Sequence, residues 1–275
     1  MYFFKEPPPT PDFTTVHIQL GDSVKILNSL LPSSLVNPIQ MNQAFMGLFA
    51  QATAQCNGDF DKLFVPFRCV ASDVFDKKAV VFSSGSLGDA VRASMTFPFV
   101  FKPLTINGVP MFDGGIYDNF PINCMKKDFD PGFILGVSLS GESITPSKSN
   151  LYEQVEAMIM QKTDYHVDSL SGILLQVDLP DVNLLDFQKG RESFLVGYNR
   201  AMSIMPEIKA RVHRERSAQV LALMRMQYRN QFHPLLFKRV IVKGCSESQA
   251  HYIERQFTES KGDVFTFEDF KRVYF

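Results

Sequence analysis

The chain of 275 residues has no tryptophan, only four cysteines and no apolar run approaching the ~20 residues a helix needs to cross a bilayer. The cysteines (Cys56, Cys69, Cys124, Cys245) are widely spaced, with no Cys-x-x-Cys and no Cys/His ligand spacing, which argues against a metal site. Cys69 and Cys124 stand among apolar neighbours and read as buried thiols. The five histidines (His17, His166, His213, His233, His251) share no ligand spacing either. No glycine-rich phosphate loop is present, and Asp178, Asp181 and Asp186 lack EF-hand spacing and read as turn residues. No cofactor is expected. A net charge of -1 leaves no broad basic field, so nucleic acid is not an expected partner. Arg211, Arg214, Arg216, Arg225 and Arg229 cluster, but Glu215 interrupts them and the stretch reads as a solvated helix face. The opening Met1 to Pro11 carries aromatics, then Pro7-Pro8-Pro9, with Lys5 its one cation; that is neither a signal nor a transit peptide.

What is there describes a folded protein: 45% hydrophobic, 21% charged, and 26 phenylalanines to fill a core. The length suits one large domain, or a medium one with an appendage. Thr15 to Leu20 alternates like a short strand, while Ser23 to Leu31 and Asn37 to Cys56 carry helical spacing, split by Pro32 and Pro38. Strands are expected at 66–73 and 79–82, a helix from Leu87 to Met95 with Asp89 in its first turn, and a hairpin over 100–112 turning at Asn107-Gly108. The run 132–138 reads as a central strand buried on both faces. A helix over 151–170, a strand over 172–179 and helix over 190–230, broken near Pro206, complete an α/β pattern. Beyond His233-Pro234 an alternating strand (237–244) and two helices, from about Ser246 to Thr258 and from Thr266 to Tyr274, form a β-α-α segment too small to stand alone.

The chemistry-bearing stretch runs from Phe82 to Pro98 and on through Phe112-Asp113-Gly114-Gly115 to Asn119-Phe120-Pro121. Asp113 follows a hairpin strand, and two glycines there permit positive φ and close backbone approach, so a reacting atom can be held beside the carboxylate. In isolation Asp-Gly-Gly is more often an ordinary turn. Here Ala90-Val91-Arg92-Ala93-Ser94-Met95, Pro98, Asp113-Gly114-Gly115 and Asn119-Phe120-Pro121 together resemble the patatin-like phospholipase family; 66–73 and 134–140 extend the resemblance to roughly residues 30–200. It implies a three-layer α/β fold and a lipid acyl hydrolase that cleaves carboxylic esters with a Ser-Asp dyad. Asp113 would be the general base, Gly114 and Gly115 its turn, and a lipid acyl ester the substrate, with contact to a membrane left open.

The family's serine sits in Gly-x-Ser-x-Gly ahead of the aspartate, and residues 1–112 contain no such motif. Gly85-Ser86-Leu87-Gly88 matches the family's helix start instead, and Gly136-Val137-Ser138-Leu139-Ser140-Gly141 follows the aspartate and corresponds to a core strand. No nucleophile is therefore assigned. The expectation is a domain over 1–232 that lacks the family's first strand, oxyanion loop and nucleophile elbow. Either the sequence is a piece of a longer hydrolase, or it is a non-enzymatic lipid-binding or interaction module. Residues 233–275 resemble the opening of a POTRA-type module, which would imply a parent protein at an outer membrane; localisation itself stays open. Phe97-Pro98-Phe99-Val100-Phe101 reads as core, with lipid contact beside Asp113 as the alternative.

Overall fold

The computed structural model describes residues 38–139, 154, 157–159, 163–179, 182, 187–213, 216–242, 245–258 and 264–274. The strand expected at 15–20 and the helix at 23–31 lie outside them. The architecture is mixed α/β. Helix α1 (Ile39–Gln55) is built from good helix formers, Ala, Met, Gln and Leu, and starts after Pro38. It ends by backbone geometry: Asn57 takes φ 52°, its N–H donates to the Ala54 carbonyl (3.2 Å), and the Gly58 N–H donates to that of Thr53 (2.9 Å). This pair of bonds satisfies carbonyls that a helix end would otherwise orphan.

Strand β1 (Cys69–Asp73) follows, its last four residues buried, and pairs antiparallel with β2 (Lys78–Phe82). Helix α2 (Leu87–Ser94) is capped by the Ser86 hydroxyl, which accepts from the Asp89 N–H at 3.3 Å. Its approach to α1 is close because Gly88 has no side chain: a β-carbon there would stand 3.4 Å from the Phe45 carbonyl oxygen. The Thr53 hydroxyl accepts from the Leu87 N–H, and the Gly85 N–H donates to the Gly58 carbonyl at 2.7 Å, so the end of α1 is stitched to the start of α2. Phe60, wholly buried, packs with Leu87 and Ala90 at this junction. Burying a phenylalanine contributes about 1.5–3 kcal/mol.

Strands β3 (Leu104–Ile106) and β4 (Val109–Asp113) form the expected hairpin. Asn107 and Gly108 both have positive φ (51° and 84°), the type I′ turn that matches strand twist. The four strands make one antiparallel sheet in the order β2-β1-β4-β3, with Ala71 opposite Asp113. Helix α3 (Ile122–Phe129) is tied to this body by Arg68, which bonds Asp61 on one side and Asp128 on the other, both at 2.7 Å, and lies over the Phe129 ring.

Strands β5 (Ile134–Ser138) and β6 (Gly172–Gln176) pair in parallel as a separate sheet. Here the expectation of a strand buried on both faces fails. Ile134, Gly136 and Ser138 are buried, whereas Leu135 and Val137 are exposed. The continuous apolar run follows composition, while the pleat sends alternate side chains to opposite faces. The helix expected over 151–170 is shorter: residue 154 and residues 157–159 are helical, and 163–171 are not. The region 190–230 breaks twice, into α4 (Gly190–Ser203), α5 (Met205–Arg211) and α6 (Ala218–Asn230). Pro206 stands in the first turn of α5, where its missing N–H costs nothing.

The last segment corrects the β-α-α expectation to β-α-β-α. Among the described residues of the strand foreseen over 237–244, only Phe237 is in a strand, β7 (Leu236–Phe237), paired with β8 (Phe265–Thr266), with α7 (Glu247–Thr258) between them and α8 (Phe267–Tyr274) after. Rings rather than a ladder hold it: Phe237 and Phe257 each contact both Phe265 and Phe270. The Phe267 ring lies against Gly47 of α1. All four thiols are free; Cys56 is buried, Cys245 exposed, and Cys69 and Cys124 half-buried, less enclosed than their apolar neighbours implied. Burial pushes the Cys69 thiol up to about 12.

Gly114 carries a sharp steric demand, as Gly172 does against the Ile134 carbonyl oxygen. A β-carbon on Gly114 would stand 2.3 Å from the Val70 carbonyl oxygen, a backbone atom that cannot swing aside. Gly114→Ala should therefore lower stability by about 1–3 kcal/mol, the cost of overpacking. Gly132→Ala, where nothing lies within 4 Å, should leave the urea midpoint unchanged. Equal midpoints for the two variants would refute the clash.

Candidate functional site

Asp113 is the last residue of β4 and stands at the head of a short 3-10 turn, Gly114–Ile116. Its backbone N–H donates to the Thr96 carbonyl (2.8 Å), which fixes the strand end against the segment after α2. Its Oδ1 accepts the Gly115 N–H at 2.8 Å. The other carboxylate oxygen has no partner among the described residues. The side chain is thus held by one oxygen and free to receive a proton at the other, the arrangement a general base needs.

Beneath it, the Gly114 carbonyl accepts from the N–H groups of Tyr117 and Asp118 and from the Ser72 hydroxyl, so the turn is closed by two residues downstream and one from β1. Neither Gly114 nor Gly115 has positive φ. The reason for glycine at 114 is the passage of Val70, and Gly115 supplies the N–H that anchors the carboxylate. Of the two reasons the sequence suggests, close approach holds and left-handed backbone does not. Further along, Asn119 donates to the Tyr165 hydroxyl (2.8 Å) and the Phe120 ring packs on that of Tyr165.

Burial pushes the Asp113 carboxyl up, only partly opposed by the Gly115 N–H. The same cause raises Asp118, whose Oδ1 accepts from the Phe120 N–H. Two carboxyls five residues apart therefore sit in a poorly solvated turn. Ser138 is far along the chain in β5, buried at 4% exposure. Phe97, Val100 and Phe101 are core, but Phe99 is 62% exposed with φ 66°, in the left-handed region that an aromatic residue rarely adopts. The apolar stretch thus divides: Phe97, Pro98, Val100 and Phe101 inward, the Phe99 ring outward.

Two residues the sequence gave no role are Thr96 and Arg92. Thr96 is fully buried; its carbonyl holds Asp113 and its hydroxyl accepts from Arg92 Nη1. No local pattern marks this, because the contact joins a helix to a strand end seventeen residues later. Among the described residues no group of three or more His, Cys, Asp or Glu is placed to hold a metal ion, and no helix is long and apolar enough to cross a membrane.

Residues 22–124, which take in α1, the four-stranded sheet and the Asp113 turn, match the patatin-like phospholipase family. An uncharacterized NTE family protein of Mycobacterium tuberculosis is 33% identical over 88 residues, 32% of this chain and 24% of that protein. A Candida albicans protein named Lysophospholipase NTE1 is 24% identical over 95 residues, 34% of this chain and 6% of that protein. One of the same name in Phaeosphaeria nodorum is 23% identical over 181 residues, 56% of this chain and 12% of that protein. The chain spans no more than 24% of the length of these relatives.

The raised carboxyl has a consequence for stability. With its folded pKa above the unfolded value of about 3.9, Asp113 binds more protons folded than unfolded in that window, so its contribution falls as pH rises through it. Asp113→Asn keeps an acceptor for Gly115 and removes the charge. The variant's melting temperature should exceed that of the unmodified protein at pH 7, and the gap should shrink towards pH 4. A gap independent of pH would refute the buried-charge argument.

Proposed function

We propose that the protein acts in carboxylic ester hydrolysis on lipids, as a patatin-like lipid acyl hydrolase whose general base is Asp113. The observation that carries this reading is the Asp113 carboxylate itself, anchored through Oδ1 on the Gly115 N–H, with its second oxygen unpartnered among the described residues, inside the segment matching the patatin-like phospholipase family. Its burial supports the role, because desolvation makes a carboxylate a stronger base than it is in water. The fold that accompanies this reading is the family's three-layer α/β arrangement.

The chemistry follows from one proton. A serine hydroxyl within hydrogen-bond reach gives its proton to Asp113 as its oxygen bonds to the ester carbonyl carbon. The tetrahedral intermediate collapses, the alkoxy group leaves with that proton, and an acyl-serine remains. Water, deprotonated by the same carboxylate, then releases the fatty acid. Residues 1–112 contain no Gly-x-Ser-x-Gly, so in this reading the serine belongs to polypeptide beyond these 275 residues. The same absence favours a second reading, a lipid-binding module without turnover. Phe99, exposed three residues after Thr96, is the ring that would meet the acyl chain.

The test is to express the whole reading frame that contains residues 1–275 and follow fatty acid release from palmitoyl lysophosphatidylcholine. Asp113→Asn should lower kcat/KM by about 10²–10⁴-fold, the usual worth of a general base. Turnover untouched by that change would remove Asp113 from the mechanism. No turnover, in a frame without Gly-x-Ser-x-Gly, would leave the binding module. In the active protein, Phe99→Asp should raise KM for a palmitoyl ester and leave an acetyl ester unaffected; equal KM values for the palmitoyl ester would exclude lipid contact at Phe99.

A further inference from the structure

A cavity of about 470 Å³ opens between α1 and α2, within the size range of small-molecule sites. Phe45, Met46, Ala50 and Leu104 give it apolar walls, and Arg92 lines it as well. Asp113 is not part of its lining.

Arg92 is only 2% exposed, and a buried charge is ordinarily paired with an opposite one. This one is not. Nε donates to the Asn42 side-chain oxygen (3.2 Å), Nη1 to the Thr96 hydroxyl and Nη2 to the Lys102 carbonyl (3.2 Å), and the guanidinium lies 5.2 Å from the Phe101 ring centre. Every partner is neutral. Three of its five N–H donors are used, so two remain. Asp89 also lines the cavity, three residues earlier on α2, yet makes no ion pair with Arg92 and is solvent-exposed, where its charge is screened. The site therefore offers one desolvated cation and an apolar wall, and among the described residues no carboxylate pairs with the cation. Burial pushes the Arg92 pKa down.

We propose that this cavity binds an amphipathic monocarboxylate, a fatty acid, with its carboxylate on Arg92 and its chain along Phe45, Met46, Ala50 and Leu104. The carboxylate supplies the charge that Asn42, Thr96 and Lys102 do not, through charge-assisted hydrogen bonds stronger than neutral ones. The site is separate from the Asp113 turn, and it stands whether or not the protein hydrolyses esters.

The experiment is titration calorimetry of the 275-residue chain with dodecanoate, below its micellar concentration, and with dodecanol as the uncharged control. Dodecanoate should bind at one equivalent, and dodecanol roughly tenfold or more weaker, the worth of a hydrogen bond to a charged group. Ala50→Trp fills the cavity from the α1 side and should abolish saturable dodecanoate binding with the melting temperature little changed. Arg92→Gln should bring the two ligands to equal affinity; should it fail to fold, the dodecanol comparison and Ala50→Trp carry the test. Equal affinity of the unmodified chain for both ligands, undiminished dodecanoate binding in Ala50→Trp, or no saturable binding would each overturn the proposal.

Discussion

The carbonyl of Val70 occupies the space that a side chain at position 114 would need, and much of the molecule is arranged around that exclusion. Strand β1 runs close over the Gly114 turn and pairs Ala71 with Asp113. The turn, in turn, closes on its own carbonyl and presents the Gly115 N–H to the carboxylate. A larger residue at 114 would move β1, and with it the strand that carries both the paired register and the buried Ser72 and Asp73. The position of one acid is therefore a property of the whole sheet.

A second junction couples the sheet to the helices. Thr96 holds Asp113 by its carbonyl and Arg92 by its hydroxyl, while Arg92 reaches Asn42 on α1. Neutral acceptors dominate this chain of contacts, and hydrogen bonds to a charged group contribute about 1.5–3 kcal/mol each. The cation is thus held firmly without its charge being cancelled. That combination fixes the geometry of α1, α2 and β4 together and leaves an electrostatic demand at the cavity wall.

Much of this was legible in the sequence where the signal is local. Asn107-Gly108 demands a type I′ turn, and the hairpin formed there; the spacing from Asn37 to Cys56 demands a helix, and α1 covers most of it. At Asp-Gly-Gly the backbone of Val70 does pass closely, and Gly114 serves that steric need and not a left-handed φ. What stayed hidden depends on distant partners. The exposed side of β5 is set by what packs beside it, not by its apolar run. The 237–244 pattern alternates like a strand, yet among its described residues only Phe237 finds a partner in β8. The Arg92–Asn42 contact joins residues fifty apart, and no periodicity announces it.

The four free sulfurs differ sharply in what they offer a reagent. Cys56 is enclosed, and the Cys69 thiol, pushed up to about 12, yields almost no thiolate at neutral pH. Burial also raises Cys124, while Cys245 alone is open to solvent, at the foot of α7. The molecule thus carries a natural attachment point for a fluorophore or spin label just ahead of α7, far along the chain from Asp113, with the half-buried Cys124 as its nearest rival.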